Sequence, residues 1–241
     1  MYWQATGASS VSDVCVNRMI LAFDTSGSIG SVAIAQKGQV LARADLFQQV
    51  GHASCLLPTI ATVLNEAGAS REQLTDLVIG EGPGSFTGVR VAAATAKGLS
   101  RGLNLPLWAV SSLAAAAMSI EDGAVRYALF DARAERVYGA CYGVDGTRIQ
   151  TLIPPHGGEL CDVISGDVPN GTVFVGDASQ KHREIIEERG FSVGDPGSGT
   201  SLADGLIRYW TAQPEGFRPV TDAVGWEPQY IRPSSAERLW G

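Results

Sequence analysis

A chain of 241 residues is long enough to bury a sizeable core, either as one large domain or as two lobes. Its 45% hydrophobic and 18% charged residues match an ordinary soluble globular protein. The formal net charge of −7 gives a surface field that repels a polyanion, so RNA binding by the chain alone is not expected.

Residues 1–18 lack the apolar core and cleavage pattern of a signal peptide and read as a disordered extension without function. Patterned sequence begins at Met19. Residues 19–23 form an apolar strand that ends in Asp24-Thr25-Ser26-Gly27, residues 31–35 return, and a turn at Lys37-Gly38 leads into residues 40–45, which makes a β-meander. From His52 to Ala67, Leu56, Leu57, Ile60, Val63, Leu64 and Ala67 recur at helical spacing, and Gly68 stands where a helix stops. Pro58 lies inside that pattern, so the helix kinks there or starts near it. A strand over 77–79, a glycine loop, a helix over 89–101 and a strand over 105–110 follow. Ser111 or Ser112 then caps an alanine-rich helix that runs to Met118.

The order β-β-β-α-β-α-β-α over residues 19–118 is that of a ribonuclease-H-like lobe, the unit of the actin, Hsp70 and sugar-kinase superfamily. The second half reads as strand 125–131, a strand 137–142 pairing back on it, strand 173–177 with a helix through Arg189, and a helix over 202–212. Residues 214–226 are irregular and 228–232 extended. The fold expected is therefore α/β, with two such lobes, the second reduced and occupying residues 119–241.

The glycine loop holds Gly80, Gly82, Gly84 and Gly88 with Pro83. Strand, glycine loop and helix N-terminus together offer free backbone N–H groups to an anion. The spacing is wrong for that use. Five residues separate Gly82 from Gly88, Val89 stands where a P-loop needs lysine, and no GxGxxG is present. The loop instead sets the start and the close packing of the helix after it.

The residues resemble the TsaB (YeaZ) family. The resemblance rests on the stretches 20–26, His52 with Leu57-Pro58, Gly82-Pro83-Gly84-Ser85-Phe86-Thr87-Gly88-Val89-Arg90, 96–99, 110–113, Asp131-Ala132-Arg133 with Val137-Tyr138, and 228–232. It runs from residue 19 to about 232 and is weaker in the second half, where Val175-Gly176-Asp177 is the other anchor. It implies a non-catalytic subunit that binds and activates TsaD. TsaD, with the ATPase TsaE, transfers a threonylcarbamoyl group to the adenosine 3′ of the anticodon in tRNAs reading codons that begin with A. The donor, threonylcarbamoyl-AMP, comes from a separate enzyme of the TsaC or Sua5 type.

TsaD-like relatives carry an HxxxH metal pair after the strand that here ends at Val110, and histidines four apart on a helix face one side. Ser112 and Ala116 occupy those positions, so the metal pair is missing. Asp24, Thr25 and Ser26 resemble the first phosphate loop of the superfamily. They read either as a residual nucleotide contact or as a tight turn that Asp24 caps itself. The second lobe offers one glycine, Gly176, where an adenosine pocket needs several. Asp131-Ala132-Arg133 reads as a strand-end turn, and His52, at a helix start, as a structural or interface residue. The chain is thus expected to have no cofactor of its own, with ATP and the metal ion belonging to its partners. The alternatives are an autonomous sugar-kinase-like or ATP-hydrolysing enzyme and, further off, a metallopeptidase.

The helix after the glycine loop is built of Ala92, Ala93, Ala94, Thr95, Ala96 and Gly98, and small residues let two helix backbones approach closely. The helix before it carries apolar residues wider than one face needs. Together they predict an exposed patch for a partner, formed by His52, Leu56, Leu57, Ile60, Val63, Leu64, Val89, Ala92, Ala93 and Ala96. The resemblance makes that partner TsaD, with TsaE in the larger complex, tRNA reached only through the complex, and a homodimer on the same surface when the partner is absent.

The four cysteines, Cys15, Cys55, Cys141 and Cys161, form no CxxC, and with His52, His156 and His182 they make no zinc spacing. They read as reduced thiols of a cytoplasmic protein. No apolar run reaches the length of a membrane span.

Overall fold

The computed structural model describes residues 18–47, 52–195, 201–228 and 230–231. Its first sheet contains β1 (Met19–Asp24), β2 (Ile29–Gln36), β3 (Gln39–Phe47), β4 (Asp76–Gly80) and β5 (Leu107–Val110), in the spatial order β3-β2-β1-β4-β5. β1 pairs antiparallel with β2 and parallel with β4, and β5 continues the parallel half. Every residue of β1 is buried, because both faces of this sheet are covered. The period-2 alternation divides the strand between two cores. Leu21 and Phe23 face helices α1 (His52–Glu66) and α2 (Phe86–Leu103), while Ile20 and Ala22 face α3 (Ser112–Met118) and α7 (Leu202–Ala212).

The second sheet has β6 (Val125–Asp131), β7 (Arg136–Asp145), β8 (Arg148–Glu159), β9 (Val173–Val175) and β10 (Ser192–Val193), ordered β10-β9-β6-β7-β8. Read from the other end, that order and its pairing directions repeat the first sheet strand for strand. The second lobe is reduced in element length, not in topology: β9 and β10 have three and two residues. Its outer face is covered by short helices α4 (Leu160–Ser165), α5 (Asp177–Lys181) and α6 (Arg183–Glu188).

Helices α3 and α7 lie between the two sheets in one continuous core that draws residues from both lobes. All seven residues of α3 are buried, so its alanines serve close packing inside the molecule. At their contact, a Cβ on Gly205 would lie 1.9 Å from the Ala115 carbonyl oxygen, so only glycine allows the approach.

Several expectations are corrected. β8 was not anticipated, and its Pro154 and Pro155 are tolerated because it is an edge strand. α2 begins three residues earlier and ends two later than 89–101, with Ser85 capping it and Asn104 ending it in a left-handed conformation. α1 continues through Pro58. The helix expected up to Arg189 is broken into α5 and α6 at His182. The segment 119–241 is not one lobe, because α7 packs on β1 and β4 of the first sheet and the chain after it crosses back over the first lobe. There, Val220 N–H donates to the Leu107 carbonyl at 2.7 Å, and Ala223 and Trp226 pack against the core under α1 and α2. Pro228, Tyr230 and Ile231 form no strand, and Gln229 and Arg232 lie outside the described residues. Residues 1–17 also lie outside them, but Arg18 is placed and its guanidinium pairs with the buried Asp76 carboxylate, Nε to Oδ2 at 2.6 Å.

Candidate functional site

The C-terminal end of β1 and the glycine loop meet as one hydrogen-bonded unit. Asp24 is fully buried, and its Oδ1 accepts from the Ser26 backbone N–H and from the Ser26 hydroxyl, both at 2.6 Å. Its Oδ2 accepts from the Ser112 hydroxyl at 2.5 Å, and the Ser112 oxygen accepts in turn from Gly82 N–H at 3.1 Å. Ser85 N–H donates to the Ser26 carbonyl at 2.7 Å, and the Thr25 hydroxyl donates to the Gly88 carbonyl at 2.6 Å. The glycines permit this contact. A Cβ on Gly80 would lie 1.7 Å from Asp24 Oδ2, and one on Gly88 would lie 1.8 Å from the Thr25 carbonyl oxygen. The loop therefore directs its backbone at the Asp24-Thr25-Ser26 turn, and that turn uses its own polar groups to hold the loop. Of the two readings of Asp24, the geometry supports the self-capping one.

Ser112 and Ala116, at the positions of the expected metal pair, are buried in α3, and Ser112 is committed to Asp24. Among the described residues, no group of three or more His, Cys, Asp or Glu side chains comes together to hold a metal ion.

In the second lobe, Asp131 Oδ1 accepts from Arg133 N–H at 2.8 Å and Oδ2 from Lys181 Nζ at 3.0 Å, while Asp177 Oδ1 accepts from Asp131 N–H at 3.1 Å. Partial burial raises the Asp131 carboxyl, but Lys181 and the Arg133 amide outweigh it and hold the group below its ordinary value. Burial pushes the neighbouring Asp177 up. Arg133, Ala134 and Glu135 all have positive φ, at 64°, 51° and 58°, and make the left-handed turn between β6 and β7. These residues hold a hairpin, as expected of Asp131-Ala132-Arg133.

The partner-surface residues divide sharply. Leu56, Ile60 and Val63 of α1, and Val89, Ala92, Ala93 and Ala96 of α2, are buried against their own lobe. They cannot present themselves to a partner, because the amphipathic stripe that predicted them is the stripe that faces the sheet. Leu64 is half-buried, and the His52 side chain lies outside the described residues. Leu57, 54% exposed, is the one large apolar side chain of that set on the outside. The exposed side of the two helices otherwise carries Ala53 and Ala61 on α1, and Phe86, Arg90, Ala94 and Gly98 on α2, none of which the sequence assigned to the patch. The C-terminal segment borders it, with the Tyr230 ring 5.7 Å from that of Phe86 and Val224 65% exposed. The signal that could have found this face is the complement of the core stripe, the positions of α1 and α2 that lie off it.

No helix among the described residues is long and apolar enough to cross a membrane.

A family model described as "TsaD: tRNA N6-adenosine threonylcarbamoyltransferase" matches residues 47–192. The tRNA threonylcarbamoyladenosine biosynthesis protein TsaB of Bacillus subtilis is 28% identical over 231 residues, covering 92% of this chain and 97% of that protein. The protein of the same name from Escherichia coli is 40% identical over 129 residues, 52% of this chain and 55% of that one. The solved structure of YeaZ from Pseudomonas aeruginosa superposes with a TM-score of 0.73 at 27% identity, covering 88% of this chain and 99% of that one.

Proposed function

The chain belongs to the TsaD-related family and, within it, to the TsaB (YeaZ) family, and we propose that it takes part in tRNA threonylcarbamoyladenosine synthesis as a non-catalytic partner that binds and activates TsaD. One observation carries the non-catalytic part. The Asp24 carboxylate, at the place of the superfamily's first phosphate loop, is fully buried and satisfied by Ser26 and Ser112. A carboxylate so engaged has no oxygen turned to solvent with which to hold a hydrated metal ion. Ser112 and Ala116 supply no metal ligands in its place.

In this reading ATP and the metal ion belong to the partner subunits, TsaE joins the larger complex, and tRNA is reached only through it, in the cytoplasm. The outer face of α1 and α2, with Leu57 at its centre, is the surface for TsaD, and it serves self-association when the partner is absent. The experiment is threonylcarbamoyl transfer to tRNA by TsaD and TsaE of the same cell, with and without this chain. A rate that depends on the chain, and is lost with Leu57→Arg, is the expected result. An equal rate without the chain sinks the proposal.

A further inference from the structure

The outer face of α2 carries three cations that pair with no carboxylate among the described residues. Arg90, Ala94, Lys97 and Arg101 succeed one another at helical spacing, so they occupy an arc of about 60° along about 16 Å of axis. α2 contains no Asp or Glu, and α1 has one, Glu66, as its final residue. None of the three cations is in an ion pair among the described residues. Their contacts are neutral. The Arg90 guanidinium lies 3.7 Å from the Phe86 ring centroid and donates from Nε to the Tyr230 hydroxyl at 3.3 Å, and Lys97 Nζ donates to the Val224 carbonyl at 2.9 Å. In the segment that holds Lys97, Asp222 Oδ1 accepts from the amides of Val224 and Gly225, and Asp222 forms no ion pair with the row.

We infer that the Arg90–Lys97–Arg101 row is the electrostatic half of the docking surface, and that it takes a partner helix whose facing row is acidic. This rests on the reading of the α1–α2 face as the surface for TsaD, and adds the chemistry that TsaD must present there. Three positive charges held together on a chain of net charge −7, and in no ion pair among the described residues, are complementary to an acidic row. A nucleic acid fits less well, because the row is short and the rest of the chain repels a polyanion. A second copy fits poorly too, since a two-fold interface would set like charge against like charge. Self-association through this face should therefore strengthen with salt, while binding to the acidic partner weakens.

The test measures association of the full chain with purified TsaD of the same cell at about 0.05 M and about 0.5 M salt, where the screening length differs several-fold. The triple variant Arg90→Gln, Lys97→Gln, Arg101→Gln is compared with a control of equal charge change, Arg148→Gln, Arg189→Gln, Arg218→Gln. The expected result is an association rate about tenfold lower for the first variant at low salt, with little salt dependence left, and a control that behaves as wild type. Thermal melts check that both variants stay folded. If wild type binds TsaD and the row variant binds equally fast with the same salt response, the inference is overturned and the proposed function stands. If wild type fails to bind at either salt, both fall. Binding of tRNA to the isolated chain that the row variant abolishes would make the row a nucleic-acid site and overturn the inference as well.

Discussion

The Ser112 hydroxyl donates to Oδ2 of Asp24 at 2.5 Å, linking the first turn of α3 to the end of β1 across 88 residues of chain. Its oxygen also accepts from Gly82 N–H, so it fixes the glycine loop to the same carboxylate. Ser112→Ala leaves a buried carboxylate oxygen and a loop amide without their partner. The expected cost is about 2–3 kcal/mol, read as a lower denaturant midpoint at unchanged slope. A variant as stable as wild type would show that the contact is dispensable.

Leu56 and Leu57 are neighbours with opposite fates, 0% and 54% exposed. Leu57→Arg should change stability by no more than about 0.5 kcal/mol while abolishing the chain's stimulation of threonylcarbamoyl transfer. Leu56→Arg should unfold the lobe, because it places an unpaired charge in the core at a cost of about 3 kcal/mol or more. Melting curves of the two proteins, run beside the transfer assay, separate a lost surface from a lost fold.

Arg126 is a buried hub. Its Nε donates to the carbonyls of Asp122 and Gly123, Nη1 to Ala117 and Ile120, and Nη2 to Glu121, at 2.7–3.0 Å. These are the carbonyls that the end of α3 and the following turn leave without helical partners. Burial lowers its pKa, but guanidinium remains charged at any working pH. Arg126→Met should cost about 3 kcal/mol or more, and Arg126→Lys should recover only part, since an ammonium lacks the planar fork. Amide exchange at residues 117–123 should accelerate first. Exchange that speeds up uniformly instead would argue against a local role.

What could be read from residues was the backbone plan of the first lobe, because α1 carries clean helical periodicity and β1 and β4 are short apolar runs, with glycines at the stops. The second lobe was harder, since its strands β9 and β10 are too short to show alternation and β8 interrupts its pattern with Pro154-Pro155 and Gly157-Gly158. The site was half legible. Asp24, Ser112 and the glycines were all identified, but their mutual hydrogen bonds join residues far apart in sequence. The partner face was misjudged for a plain reason. Periodicity at Leu56, Ile60 and Val63 reveals a stripe that must be covered and says nothing of what covers it. The sheet does.

Gly98 and Gly102 sit on the exposed side of α2, and a Cβ at either would meet nothing within 4 Å. Glycine in a helix interior is destabilising relative to alanine by roughly 0.5–1 kcal/mol. Gly98→Ala and Gly102→Ala should each raise the melting temperature of the isolated chain. They should also weaken TsaD binding, because a partner helix on this face would then meet the new methyl groups. Gain in stability with unchanged binding would place the docked helix elsewhere.

Glu81 follows β4, its N–H donating to the Val110 carbonyl at 2.9 Å, and burial pushes its carboxyl above the ordinary 4.5. Tyr209 is raised as well, first by its own burial and then by the Glu81 charge. The sign follows from linkage. The folded state binds the Glu81 proton more tightly than the unfolded state, so ionisation works against folding. Stability from this group falls as pH rises from the unfolded value of 4.5 through the raised folded value, and stays low above it. Glu81→Gln removes the charge at every pH while keeping the shape. The variant should therefore be more stable than wild type at pH 7, and the difference should shrink as pH falls and vanish below the unfolded value. Urea midpoints of both proteins across that range test it. A Gln variant that is less stable at neutral pH, or a difference that does not depend on pH, would show that the carboxylate is used where it sits.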